Sequence, residues 1–86
     1  MSTGVNRFKA LLGETYIWPT TYLFKFIVPA DGVPQLRQIL NTTEVTTKNS
    51  RKGTYVGVTA RMMLASSDDV IQIYQRAGKI KGIISL

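Results

Sequence analysis

The chain has 86 residues, with 11 Lys and Arg against 5 Asp and Glu, a net charge of +6, and neither Cys nor His. A chain of this length forms one domain with one modest core. The absence of Cys and His removes disulfides, thiolate nucleophiles, the commonest general base and the usual metal ligands. We therefore expect a protein that is not an enzyme and uses no metal and no cofactor. No apolar stretch reaches the ~20 residues that span a bilayer, and no signal-peptide core is present, so we expect a cytoplasmic protein with no membrane partner.

The N-terminal segment, residues 1–16, is predicted to be a tail followed by a short helix. Apolar residues recur at helical spacing over Asn6–Leu12, including Phe8 and Leu11, and Gly13 is placed to end the helix. We expect residues 17–86 to form a single domain.

The first strand of that domain is predicted at Thr20–Val28, where side chains alternate between two faces. Both faces are largely apolar, which predicts a central strand covered at least partly on each side. One face carries Tyr22, Phe24, Phe26 and Val28, and the other carries Thr21, Leu23, Lys25 and Ile27.

Two helices are predicted from capping residues and helical periodicity. Asp31 is a good N-cap for a helix that runs to about Asn41. Ser66 caps a second helix, with Asp69 three residues on as in a capping box, and Gly78 closes it.

Three more strands complete the predicted order. Residues 44–49 suit an exposed edge strand, residues 55–65 a long strand and residues 79–86 a final strand, with Gly53 supplying the turn at 49–53. The order β-α-β-β-α-β predicts an α+β, ferredoxin-like βαββαβ sandwich. Its four-stranded antiparallel sheet has two helices on one face and the strand order 4-1-3-2, with a short N-terminal helix ahead of it.

Two segments resemble one known family. Trp18–Phe26 resembles the aromatic-Pro-x-x-aromatic-x-x-Lys opening of the YbeD-like family of small uncharacterised bacterial proteins, and Ser50–Val58 resembles that family's Ser-x-Lys-Gly-x-Tyr hairpin. The resemblance implies a fold similar to the small-molecule-sensing ACT domains of metabolic enzymes. Members of this family are labelled as lipoic-acid-binding regulatory proteins, with no established activity, so the resemblance also implies a regulatory role of this kind.

The loop at Asp31 and Gly32 is the first candidate ligand site. The resemblance to ACT domains implies that its backbone N–H groups meet a ligand carboxylate, and free amides at a helix start favour such a ligand. Gly32 and Pro34 stand in the reverse of the ACT order. An ordinary capped helix start is the alternative that the residues favour.

The densest basic cluster, in the predicted hairpin between the second and third strands, is the second candidate ligand site. A hairpin with these charges suits a phosphate or an acidic partner, or it is a solvated turn whose charges keep an edge strand from pairing. The cluster and the exposed row of the third strand supply Lys48, Arg51, Lys52, Gly53, Tyr55 and Arg61.

Nucleic acid is the alternative partner. A basic ferredoxin-like sheet is typical of RNA-recognition folds, and Lys52–Val56 faintly resembles the start of their signature. That mode of binding needs several aromatic side chains on the open sheet face, whereas Tyr55 is the single one predicted there.

The final strand is the predicted interaction edge, because it is apolar and nearly uncharged. Either the N-terminal segment with Phe8 and Leu11 covers it, or it pairs with a second copy in a homodimer. The leading hypothesis is a non-enzymatic regulatory or adaptor domain that binds a small acidic metabolite or a protein partner. The predicted interface residues are Ile80, Ile83, Ile84 and Leu86.

Overall fold

The computed structural model describes residues 3–86 and confirms the predicted α+β, ferredoxin-like order. An N-terminal helix precedes the order β-α-β-β-α-β, and no helix in the described part of the chain is long and apolar enough to cross a membrane. The elements are α1 (Thr3–Thr15), β1 (Thr20–Pro29), α2 (Val33–Leu40), β2 (Val45–Asn49), β3 (Tyr55–Leu64), α3 (Ser67–Ala77) and β4 (Ile84–Ser85), with a short 3-10 helix at Ala30–Gly32.

The four strands form one antiparallel sheet in the order β2-β3-β1-β4, as predicted. β1 is the central strand and pairs with β3 along its whole length, from Thr20 opposite Leu64 to Pro29 opposite Tyr55. β2 pairs with the other side of β3 and is an edge strand.

The core lies on one face of the sheet, where the predicted inward row of β1 is buried. Phe24, Phe26 and Val28 are fully or almost fully buried. The rings of Phe24 and Phe26 meet the edge of Tyr74 on α3, with centroids 5.2 and 5.8 Å away. Aromatic pairs in this geometry add to the stabilisation from burial, so this cluster fixes α3 on the sheet.

The start of α3 has the predicted cap. The Ser66 hydroxyl accepts a hydrogen bond from the Asp69 backbone N–H at 3.4 Å, and the Asp69 carboxylate accepts one from Ala65 N–H at 3.2 Å. These bonds satisfy amides that a helix start leaves without partners.

The start of α2 differs from the prediction, because Asp31 is not its N-cap. Asp31 lies within the 3-10 helix, and the N-cap is Gly32, which has no side chain to offer a cap hydrogen bond. Gly32 is buried, and a Cβ there would lie 2.8 Å from a Val28 methyl carbon and 3.0 Å from one of Ile80. Close packing therefore decides this helix start, and a side-chain cap does not.

α1 is longer than predicted and continues past Gly13 to Thr15. It packs beside α3: the Lys9 ammonium lies 2.7 Å from an Asp68 carboxylate oxygen, and the Phe8 ring meets the Tyr74 ring at 5.8 Å. Leu11 remains half exposed. α1 therefore packs beside α3, and this position of Phe8 and Leu11 does not favour the alternative in which they cover the last strand.

The last strand is much shorter than predicted, because residues 79–83 form turns. The Ile80 N–H donates to the Ala77 carbonyl at 3.0 Å, and the Ile83 N–H donates to the Ile80 carbonyl at 3.3 Å. Ile80 is only 5% exposed and closes the core over Gly32. The Ile80 side chain is therefore buried against the core within this chain, although the sequence places it in the apolar run of the predicted interface.

Candidate binding surface of the sheet

The side of the sheet that faces away from the core is not covered by any described helix, whereas the apolar outward row of β1 predicted at least partial cover on this side. The side chains of two residues paired in antiparallel strands point to the same face of the sheet, so the strand register identifies the residues of this face. Leu23 and Ile84 are about half exposed, and Met63 and Leu86 more so. We call this surface the open face, and it consists of Thr46 and Lys48 of β2, Tyr55, Gly57, Thr59, Arg61 and Met63 of β3, Thr21, Leu23, Lys25 and Ile27 of β1, and Ile84 and Leu86 at β4.

The charge on the open face is predominantly positive. Lys25, Lys48 and Arg61 come from three different strands, and Glu44 next to Arg61 supplies the nearby carboxylate. Arg61 is a diagonal neighbour of Lys25 across the β1–β3 pair, which sets their backbones about 7–8 Å apart. None of these four groups is in an ion pair within residues 3–86, so the cations are available to an external anion.

Two shallow grooves meet at Arg61. One, of about 620 Å³, lies beyond the end of β2 and is lined by Thr21, residues 41–44 and residues 61–63. The other, of about 490 Å³, runs across the open face past Leu23 and Thr59. Because Arg61 lines both grooves together with threonine and apolar residues, it is the cationic residue best placed to hold a carboxylate or phosphate there.

The hairpin between β2 and β3 places the other predicted cations at its tip. The turn is closed by hydrogen bonds from Gly53 N–H to the Ser50 carbonyl and from Ser50 N–H to the Tyr55 carbonyl, at 3.0 and 2.9 Å. Gly53 has the predicted positive φ, at 70°. Arg51 and Lys52 are exposed at this tip, outside the strands, and Tyr55 is 43% exposed at its base.

The predicted ligand loop lies beside this hairpin, because Ala30 N–H donates to the Thr54 carbonyl at 3.0 Å. Asp31 is exposed, whereas Gly32 is buried in the core. The structure thus separates the predicted ligand residues into two groups. Lys48, Tyr55 and Arg61 lie within the open face, and Asp31, Arg51, Lys52 and Gly53 lie around the hairpin end of the sheet, with Gly32 buried beside them.

Leu23 and Lys25 of the open face, and Glu44 beside it, were not among the predicted site residues. The alternation in β1 already placed Leu23 and Lys25 on one face. An apolar outward row predicts a strand that is covered on that face, whereas the actual cover depends on where the helices pack.

The aromatic side chains on the core side have a structural role. The Tyr74 hydroxyl lies 3.3 Å from that of Tyr22, and burial, followed by this hydrogen bond, raises the pKa of Tyr74 well above its usual value. The Trp18 indole N–H is buried without a partner in the described residues. No cluster of three acidic side chains suited to a metal ion is found in residues 3–86.

The fold and this surface define a ferredoxin-like α+β domain whose sheet presents one uncovered basic and apolar face. Comparison with family models matches residues 15–86 to the family described as "Protein of unknown function (DUF493)", which is the YbeD-like family. The chain belongs to this family. Comparison with curated proteins and with solved structures gave no match.

Proposed function

We propose that this protein is a non-enzymatic regulatory or adaptor domain that binds an acidic partner protein on the open face. One observation carries the proposal: Lys25, Lys48 and Arg61 lie without ion-pair partners among exposed apolar side chains on a face that no described element covers.

The combination of charge and exposed apolar area favours a protein partner. Exposed apolar patches rimmed by polar groups are typical of interaction surfaces. The positive charge, within a net charge of +6, accelerates encounter with an acidic surface and selects against basic ones. Leu23, Met63 and Leu86 supply apolar area that is removed from water when a partner docks.

A small acidic metabolite is the second form of the proposal, and the two grooves at Arg61 favour it. The resemblance to proteins labelled as lipoic-acid-binding regulators suggests one such ligand, with a carboxylate and an apolar chain. The grooves are open to solvent, so a ligand of this size leaves much of the open face free for a partner.

The test is affinity capture from a lysate treated with nucleases, using two variants that lose the same number of positive charges. The open-face variant replaces Lys25, Lys48 and Arg61 by Gln. The matched helix-side variant replaces the exposed residues Arg37, Arg76 and Lys79 by Gln.

We expect the wild type and the helix-side variant to retain an acidic protein that the open-face variant loses. In its purified form, this protein should bind the wild type and the helix-side variant more tightly than the open-face variant. Equal retention by both variants would exclude the open face as the binding surface. Binding that is present in an untreated lysate and lost in the nuclease-treated one would favour the nucleic-acid alternative, with the hairpin cations Arg51 and Lys52 as phosphate contacts.

A further inference from the structure

One edge of the central strand is only partly occupied. All of β1 pairs with β3, but β4 pairs only with Phe26 and Ile27, and the Leu86 N–H adds one bond to the Lys25 carbonyl at 2.9 Å. Within residues 3–86, the segment Thr20–Phe24 therefore has no strand on this side.

The backbone groups on this edge can be assigned from the ladder. Backbone groups of successive residues in a strand point to opposite edges, and Lys25 points toward β4. Thr21 and Leu23, in phase with Lys25, direct their N–H and C=O groups to the same edge. No backbone partner is found for these groups in the described part of the chain. Two residues thus offer a template of two donors and two acceptors.

The surroundings of this edge indicate what strand would fit. Lys25 follows the unpaired segment on β1, and Arg61 lies opposite Leu23 on the far side of β1. A strand added here therefore has Lys25 diagonally beside its open-face side chains and Arg61 one strand further away. On the other face it meets the partly buried Tyr22 ring. A second copy of the chain would bring another net charge of +6 to the same place, whereas an acidic segment complements it.

We propose that the acidic partner contributes an extended segment that pairs with β1 along Thr20–Phe24 as a fifth strand. This inference rests on the proposed function and names how the partner docks. The side chains of this added segment alternate, with acidic residues over the open face near Lys25 and Arg61 and apolar residues toward Tyr22. Main-chain hydrogen bonds to Thr21 and Leu23 supply affinity, as in other cases of strand addition.

The probe is the acetylated and amidated peptide Val-Glu-Val-Glu-Val-Glu-Val. The control peptide has the same sequence with N-methyl groups on its fourth and fifth residues, which preserves its charge but removes one N–H donor at each edge of the added strand. Binding is measured by titration of the full-length protein, and hydrogen exchange of individual amides is followed by NMR.

We expect the Thr21 and Leu23 amides to exchange at least about tenfold more slowly when the peptide is bound. The N-methylated peptide is expected to bind about tenfold more weakly or worse. Arg61→Gln weakens binding, whereas Arg37→Gln on α2 does not, because Arg37 lies on the helix side of the sheet.

The outcomes separate this inference from the proposed function. If both peptides bind equally and Arg61→Gln weakens both, the open face binds acids but strand addition is refuted. If the unmodified peptide does not bind, or binds without protecting Thr21 and Leu23, strand addition is likewise refuted. The capture experiment with the open-face variant then decides the proposed function independently.

Discussion

Leu23 and Phe24 are neighbours in β1 that point to opposite faces of the sheet, and replacing each by alanine measures what each face contributes to stability. Phe24 is fully buried, and its ring lies 4.8 Å from Tyr22 and 5.2 Å from Tyr74. Phe24→Ala leaves a cavity inside this cluster, at a cost of about 3–5 kcal/mol. Leu23 is 45% exposed on the open face. Leu23→Ala removes partly hydrated methyl groups and leaves no enclosed cavity, at a cost of about 1 kcal/mol.

Urea unfolding followed by tryptophan fluorescence measures both free energies of unfolding. With a slope of about 1.5 kcal/mol per molar urea, Phe24→Ala lowers the midpoint by roughly 2–3 M and Leu23→Ala by less than 1 M. Unchanged slopes would show that the same surface is exposed on unfolding.

An equal loss of unfolding free energy in the two variants would refute the assignment of Leu23 to an uncovered face. A loss for Leu23→Ala that grows with protein concentration would show that a second copy covers this face, because association stabilises the folded state by mass action.

Three further predictions concern the packing of α1, α2 and α3. Gly32→Ala is expected to destabilise the protein by about 1–3 kcal/mol, because its Cβ would lie 2.8 Å from Val28, whereas Gly13→Ala, with nothing within 4 Å, is expected to stabilise α1 by up to about 1 kcal/mol. Thermal melting checks both, and equal effects would contradict the close approach at Gly32. Ser66→Ala removes the cap of α3 and is expected to cost about 1 kcal/mol of unfolding free energy in urea; no change would show that the cap is dispensable. The pKa of Tyr74 is raised in the folded state, so above pH 10 the tyrosine ionises first in the unfolded chain. The stability that the neutral Tyr74 contributes is therefore present below pH 10 and is lost as the pH rises above that value. Unfolding measured from pH 8 to pH 11 should therefore show a smaller alkaline loss in Tyr74→Phe than in the wild type, and identical slopes would contradict the raised pKa.

The elements of the fold could be predicted from local patterns. Alternation in β1 placed Phe24 and Phe26 on the face that the structure buries, and Ser66 with Asp69 located the start of α3. These signals depend on neighbours only a few residues apart, so the linear sequence contains them.

The last strand shows where local patterns fail. An apolar run around Ile80 reads as strand from its composition, but whether it forms a strand depends on distant contacts. In the structure Ile80 closes the core over Gly32, and β4 begins only at Ile84.

The candidate site was predicted only in part. The basic hairpin could be found from charge density alone, because its residues are close in sequence. The grouping of Lys25, Lys48 and Arg61 on the open face was not predicted, because these residues come from three strands and become neighbours only through the β2-β3-β1 pairing.

The sequence by itself determined the order of the elements, the two faces of each long strand and the net positive charge. Only the tertiary structure decided how far Leu23 and Lys25 are exposed on the open face, and that residues 79–83 form turns, so that β4 pairs only with Phe26 and Ile27 of β1. The physical reason is that periodicity records which side chains share a face, whereas covering a face or an edge depends on contacts between residues far apart in the chain.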